Sequence, residues 1–493
     1  MFLTRHLLKA NAKLWEVSST VLSLQGFGLG LGSATCLLFV ATRLMALSMT
    51  HSSHRGQDLP TRLLQALAPW RDAPVWHVGF SGGLDSTVLL HLLAELARRE
   101  RLPALKAIHV HHGLQAAADD WPEHCRQVCQ ALDMPLQMIR VNVESGASLE
   151  QAAREARYAA FSAQVGEGEV LLTGQHRDDQ AETLLFRLMR GAGVRGLAAM
   201  PESRALGKGH LVRPLLDCSR GELEGYAREH GLGWIEDPSN DNVRFSRNFL
   251  RAQVMPLLTS RWPQAVSSMA RTARHLGEAQ ELLGELAEQD LAASQATTSF
   301  VRLGLPVLAI GPLAGLSATR QRNALRHWLA PLTRLPDTDH WAGWDTLRDA
   351  GEGAQPVWRL ADGELHRTQG HIWWLPGPWL RPVDGIFTWP DPHQPLSLPG
   401  NGRISIQGDA PQGPLEVRYR QGSEVMQVAR RGHRDLKRLF NEHGVPAFVR
   451  GRLPLLYCDD QLLAVAGLAG LDASPNGSWQ LRWAAPTSDQ SLS

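Results

Sequence analysis

The stretch Phe80-Ser81-Gly82-Gly83-Leu84-Asp85-Ser86-Thr87 constrains the fold more than any other part of the chain. Val75-Trp76-His77-Val78 before it reads as a short buried strand. Leu89, Leu92, Leu93 and Leu96 after it recur at the spacing of one helix face, so the Ser-Gly-Gly turn joins a strand end to a helix start. The glycines permit a tight turn and close backbone approach, and the free N–H groups and dipole of the first helical turn attract an anion. A Walker-type phosphate loop would carry a lysine, and the turn has none. Asp85 stands in the first turn instead. A carboxylate beside a polyphosphate requires a divalent cation between them, so the loop is read as a cradle for Mg-bound pyrophosphate. The plainer alternative makes Asp85 and Ser86 ordinary first-turn caps.

At 493 residues the length suggests about three domains, and the net charge of +1 means that any basic surface must be local. Cys36, Cys125, Cys129, Cys218 and Cys458 form no C-x-x-C pair, which fits a reducing cytoplasm. Residues 1–48 stand apart. Leu22 to Val40 is apolar, and Lys9, Lys13 and Arg43 around it give it the look of a signal anchor. Gln25 and four glycines weaken that reading, and Met45 and Met49 offer other starts, so an upstream start-codon error is preferred to an anchor and no stable membrane partner is expected.

From Arg62 the pattern alternates: strands at Leu105–Val110, Leu136–Val143 and Val170–Thr173, helices at Asp119–Leu132 and Leu149–Gln164. This predicts an α/β doubly wound parallel sheet with ligands at the carboxyl ends of its strands. His109 and His111 share a strand face, but no third ligand shares zinc spacing with them. Arg154 and Arg157 lie on one side of their helix, where pairing of Glu150 with Arg154 on a solvated face is the plain reading. In Thr173-Gly174-Gln175-His176-Arg177-Asp178-Asp179-Gln180-Ala181-Glu182-Thr183, Asp179 and Glu182 project from the same side of a helix start, and His176 is placed to donate to phosphate or leaving group. Asp178 and Asp179 also suit a helix N-terminus for purely structural reasons. Arg190 to Leu197 reads as a mobile glycine-rich loop, and Ser219-Arg220-Gly221-Glu222 as a capping box. Arg244, Arg247 and Arg251 step along one helix face beside an aromatic, as a phosphate backbone and splayed bases would require.

After Pro256 the character changes. Ala265, Met269, Ala273, Leu276, Leu283 and Leu286 predict a long amphipathic helix within a helical middle domain, 259–380, whose Trp373 and Trp374 read as core. The proline-rich stretch that follows is taken as a linker, 381–414. The last block, 415–485, is expected to be a small α+β domain. Residues 418–452 hold nine Arg or Lys against three acids. Lys437 and Arg438 are expected on an exposed helix face, and Leu455–Cys458 and Leu462–Val465 as a hairpin about Asp459-Asp460-Gln461.

Ser81-Gly82-Gly83-Leu84-Asp85-Ser86 resembles the SGGxDS loop of the PP-loop ATP pyrophosphatases, which split ATP into AMP and pyrophosphate while adenylating a substrate. Within that superfamily, several segments resemble the tRNA-lysidine synthetases: Glu150 to Tyr158, Gly174 to Thr183 with Gln175 in place of a histidine, Asp237 to Arg251, and the Leu436-Lys437 to Tyr457 order. The resemblance covers nearly all of Leu63 to Leu468, with the adenylating domain at 60–258. It implies ATP and Mg2+ as cofactors, and adenylation of C2 of the wobble cytidine in a CAU-anticodon tRNA(Ile), followed by attack of free L-lysine. It implies binding of pyrophosphate by Ser81 to Ser86, and catalysis by Asp85, His176, Asp179 and Glu182 with Mg2+ on Asp85 and Asp179. Substrate binding falls to Arg154, Glu182, Arg247, Asn248, Arg251, Lys437, Arg438, Arg450 and Arg452. A homodimer is compatible with it. The rivals are a PP-loop tRNA thiolase, whose cysteine pairs and SGGKDS lysine are missing here, and a membrane-tethered RNA-binding protein with a vestigial nucleotide loop.

Overall fold

The computed structural model describes residues 58–113, 120–143, 149–336, 338–351, 353–428 and 431–486, so the expected extension 1–48 and the side chain of Glu150 lie outside the described residues. Two compact units divide at Gly277 and Glu278.

The first unit is built on a six-stranded sheet in the order β3-β2-β1-β4-β6-β5. Its strands are β1 (Val75–Gly79), β2 (Ala104–His111), β3 (Leu136–Arg140), β4 (Val170–Leu172), β5 (Ser203–Leu206) and β6 (Gly209–Val212). All neighbours run parallel except β5 on β6, a hairpin at the edge. The helices are α1 (Leu59–Leu67), α2 (Leu84–Ala97), α3 (Trp121–Ala131), α4 (Leu149–Gln164), α5 (Arg177–Leu188), α6 (Val194–Leu197) and α7 (Arg220–Glu229). Both sheet faces are covered, as parallel strands require. One core packs Trp76, Val78 and Leu172 against α1, α2, α3 and α7. The other packs Ile108, Leu171 and Leu211 against Phe161 and Val165 at the end of α4.

The chain runs outward from β1 to β3 and then returns to place β4 on the other side of β1, so strand order reverses between β1 and β4. Their carboxyl ends open a crevice, the usual ligand position of such sheets. Both strong motifs lie there: Ser81–Ser86 after β1 and Thr173–Glu182 after β4. The supposed mobile loop is partly folded into α6, and Arg187 donates to the carbonyls of Gly196 (2.9 Å) and Ala199 (2.6 Å). The supposed continuous helix at 244–251 begins only at Ser246, so Arg244 precedes it. Helix α8 (Ser246–Phe249) passes into a π-turn at Leu250–Val254 and then into α9 (Met255–Arg261). The long helix α10 (Ala265–Ala293) is present as its apolar spacing predicts.

In the second unit the middle region has helices at Ala318–Leu329 and Ala342–Asp349, and also a four-stranded antiparallel sheet, β7 (Val307–Ala309), β10 (His371–Pro376), β9 (Gly363–Thr368) and β8 (Val357–Leu360) in spatial order. Trp373 and Trp374 are buried in β10. The linker reading is corrected. Ile386–Trp389 pairs with Leu415–Arg418, and Arg403–Gly408 pairs with Trp479–Ala484, so residues 386–408 are part of the C-terminal sheets. Prolines there punctuate short strands rather than prevent them. The expected hairpin joins Leu455–Cys458 to Gln461–Val465, with Asp459 and Asp460 both at positive φ, as a two-residue hairpin turn requires. Among the described residues no helix is long and apolar enough to cross a membrane.

Candidate active site

Phe80 continues β1 by donating its N–H to the carbonyl of Ile108, and the chain then turns through Ser81, Gly82 and Gly83 into α2. Gly82 has φ of +85°, and a Cβ there would stand 2.8 Å from Ile235 Cδ1 and 3.2 Å from Cys125 Sγ, so both conformation and space demand glycine. Ser86 is turned inward: its hydroxyl accepts from the Ser81 N–H (3.2 Å) and donates to the Gly83 carbonyl (3.0 Å). Leu84 is buried in the core. Leu84 and Ser86 therefore offer a ligand their backbone N–H groups, which at the first turn have no intrahelical acceptor. His109 braces the turn by donating Nδ1–H to the Phe80 carbonyl at 2.9 Å. His112 faces Arg157 Nε at 3.1 Å, and burial, then the arginine charge, push its pKa down to about 4, so it is the neutral acceptor of that bond.

His176 is fully buried at the N-cap of α5 in a capping box with Asp179. Asp179 Oδ2 accepts the His176 N–H at 3.1 Å, and His176 Nδ1 accepts the Asp179 N–H at 3.4 Å. His176 Nε2 then lies 3.5 Å from Asp85 Oδ1 and 3.5 Å from Asp179 Oδ2, so one imidazole edge joins the two motifs. Burial opposes charging of His176, but Asp85, Asp179 and Asp178 outweigh it and raise its pKa. Protonation sacrifices only the long 3.4 Å cap bond. The adjacent Asp178 has different work: it accepts the Arg220 N–H at 2.9 Å, at the start of α7.

Asp179 and Glu182 are buried and share two arginines. Arg247 donates to Glu182 Oε2 (3.3 Å) and Asp179 Oδ1 (3.2 Å). Arg251 donates to Glu182 Oε1 (2.7 Å), Glu182 Oε2 (2.9 Å) and Asp179 Oδ1 (3.0 Å). Burial alone would raise the Asp179 pKa, but His176, Arg247 and Arg251 hold it below the ordinary carboxylate value. Arg247 and Arg251 of the expected basic stripe thus face the chain's own acids, whereas Arg244 precedes the helix and is exposed. Asn248 is likewise turned inward, donating Nδ2–H to the carbonyls of Ser239 (2.8 Å) and Asn242 (3.1 Å).

Asp85 Oδ1 is buried at the start of α2, and the long 3.5 Å approach of His176 Nε2 leaves it room for another ligand. That oxygen suits Mg2+, which takes one or two carboxylates and completes its shell with phosphate and water oxygens. Asp179 is engaged on both oxygens, so it joins such a site only if the arginines give way.

Arg154 is placed elsewhere on this unit. Its guanidinium lies 5.0 Å from the Tyr158 ring centre, and that of Arg204 lies 4.9 Å from it. Burial pushes the Tyr158 pKa up, but Arg154, Arg213 and Arg204 together hold it down. Sequence reading missed Arg204, which lies within β5, and Arg213, which follows β6. In the second unit Lys437 and Arg438 are exposed, with Arg438 paired to Glu442 at 3.2 Å. Arg450 is half-buried and donates to the Val445 carbonyl. Arg452 as a phosphate contact is corrected: it is 4% exposed and donates to the carbonyls of Trp379, Arg381 and Gly400. Buried carbonyls, not solvent, satisfy its charge.

Comparison with known proteins gives three family matches: a PP-loop domain at residues 57–258, a TilS substrate binding domain at 308–373 and a TilS substrate C-terminal domain at 415–483. A protein of Pseudomonas syringae pv. tomato named tRNA(Ile)-lysidine synthase is 71% identical over 90% of this chain and 100% of its own length. Proteins of the same name from Pseudomonas fluorescens and Pseudomonas aeruginosa are each 63% identical, over 88% of this chain and 98% and 99% of their own lengths.

Proposed function

The chain belongs to the tRNA(Ile)-lysidine synthase family, and from that premise we propose how its residues divide the reaction. The protein is an ATP-dependent ligase that modifies tRNA(Ile), releasing AMP and pyrophosphate. The pyrimidine C2 is a poor electrophile and its oxygen a poor leaving group. Transfer of AMP to that oxygen with loss of pyrophosphate remedies both, and the ε-amine of free lysine then forms the new C–N bond as AMP departs with the oxygen.

The N–H groups of Leu84 to Ser86 hold the departing pyrophosphate at the positive end of α2. Asp85, with Asp179 once its arginines shift, would hold Mg2+, which supplies charge neutralisation at the phosphates when bound. His176 holds its proton between Asp85 and Asp179 and orients both carboxylates. Glu182 receives the lysine ammonium and takes up its proton, and Arg247 and Arg251 turn to anionic groups of the substrates. The base must leave the anticodon stack to reach this crevice. Arg154, Lys437, Arg438 and Arg450 hold RNA phosphates, and Arg452 braces the C-terminal fold. The compartment is the cytoplasm, and a homodimer is compatible with this division.

The observation that carries the reading is the match along whole relatives of this name, supported by the joining of the two motifs through His176. The test is incubation with tRNA and ATP but no lysine. Pyrophosphate should be released and AMP retained on the tRNA, and Asp85→Ala should abolish this while tRNA still binds. Appearance of ADP and inorganic phosphate would overturn the mechanism.

A further inference from the structure

The segment that carries Arg247 and Arg251 has a second face. Phe245 and Phe249 are 38% and 43% exposed, and the Phe249 N–H donates to the Phe245 carbonyl at 2.9 Å, so the rings rise one helical turn apart on the same side. Neither ring stacks on another aromatic or lies under a guanidinium among the described residues. Val243 just before them is 42% exposed. Exposing two phenylalanines on one short turn gives up the transfer free energy that burial would have supplied, so the patch calls for an occupant. Its setting restricts which. Arg244, Arg247 and Arg251 interleave with the rings, and the guanidinium groups of the latter two lie on Asp179 and Glu182. The turn therefore forms a wall of the acid site, with cations on the inner side and aromatic faces on the outer.

We propose that Phe245 and Phe249 are a stacking platform for unpaired bases of the substrate RNA, next to the nucleotide that enters the acid site. The proposal rests on the reading of the substrate as tRNA and adds to it the residues that receive its unstacked loop. Every base offers a π-face, and an aromatic ring recovers part of the stacking lost when one nucleotide is pulled out of the loop. Arg244, exposed beside the rings, supplies charge complementarity to the phosphates between those bases. An apolar protein partner would not call for the exposed guanidinium of Arg244 beside the rings.

The test uses the full chain and an anticodon stem–loop RNA with 2-aminopurine in place of the adenine directly 3′ of the wobble cytidine. Wild-type protein should quench its fluorescence on binding. Phe245→Leu and Phe249→Leu should each weaken the Kd about tenfold and lose quenching, while Phe249→Trp retains both. The slope of log affinity against log salt should stay the same, because a neutral ring releases no counterion. The rings are exposed, so the thermal midpoints should hold. Unchanged Kd and quenching in both leucine variants would overturn the platform, as would a flatter salt slope, which would mean that the rings merely position arginines. A change of oligomeric state with RNA affinity intact would also overturn it, assigning the patch to a second copy. If the wild-type protein neither binds the RNA nor releases pyrophosphate with it, the reading of the substrate fails rather than the platform alone.

Discussion

Gly174→Ala tests whether the spacing between the two motifs matters to the chemistry. A Cβ at Gly174 would stand 2.9 Å from the carbonyl carbon and oxygen of Asp85 and 3.2 Å from the Ser86 nitrogen, all backbone atoms that cannot rotate away. Ordinary contact begins near 3.4 Å, so the β4 end and the start of α2 must separate by about 0.5 Å. Overpacking of this kind costs about 1–3 kcal/mol of stability. The separation also acts on the 3.5 Å spacings from His176 to Asp85 and Asp179. A misplacement of 1 Å costs about a hundredfold in rate, so about half of it should cost roughly tenfold. The assays are a thermal melt and tRNA-dependent pyrophosphate release with ATP saturating. A melt lowered by a few degrees with release cut about tenfold is the expected outcome. Wild-type values in both would refute the argument that contact between these two backbones sets the site.

In His176→Gln the pH dependence of stability should change in a defined direction. The histidine pKa is raised on folding, so its contribution is fully present below its ordinary value near 6.5 and lost as pH rises through the folded value. Wild type should therefore exceed the variant by more at pH below 6.5 than in alkali, and a constant gap in melts across pH would contradict this. Asp179 has the opposite sign: its stabilisation is present above its ordinary pKa and lost as pH falls through the lowered one, so Asp179→Asn should flatten the acid limb of the same curve. Arg452→Met should destabilise the second unit by about 1–3 kcal/mol through its unsatisfied carbonyls, read by denaturant unfolding. Lys437→Gln should leave the melt unchanged and reduce the salt slope of tRNA binding by about one. A destabilised Lys437→Gln, or a flattened salt slope in folded Arg452→Met, would reverse those assignments.

The alternating unit was legible because its central strands β1 and β4 are buried on both faces and its motifs fall where strand becomes helix. The order of strands was not, since nothing local in β4 says that it returns beside β1. At the site, the spacing of Asp179 with Glu182 and of Arg247 with Arg251 could be read directly. Their pairing with each other could not, because a guanidinium seeks an anion and the sequence does not say whether that anion is RNA or a carboxylate 65 to 72 residues away. Arg452 was misread for a related reason: counting charges is blind to burial. The strands at 386–408 escaped notice because each is short and bounded by proline or glycine, and their partners, such as Trp479–Ala484, come far later in the chain.

The most direct measurement is the mass of the wobble nucleoside after incubation of tRNA(Ile) with ATP, lysine and the protein. The expected product is cytidine that has gained one lysine and lost one water, formed only when both ATP and lysine are present. A nucleoside in which sulfur has replaced oxygen, or unmodified cytidine from a protein that consumes ATP in the presence of the tRNA, would contradict the account.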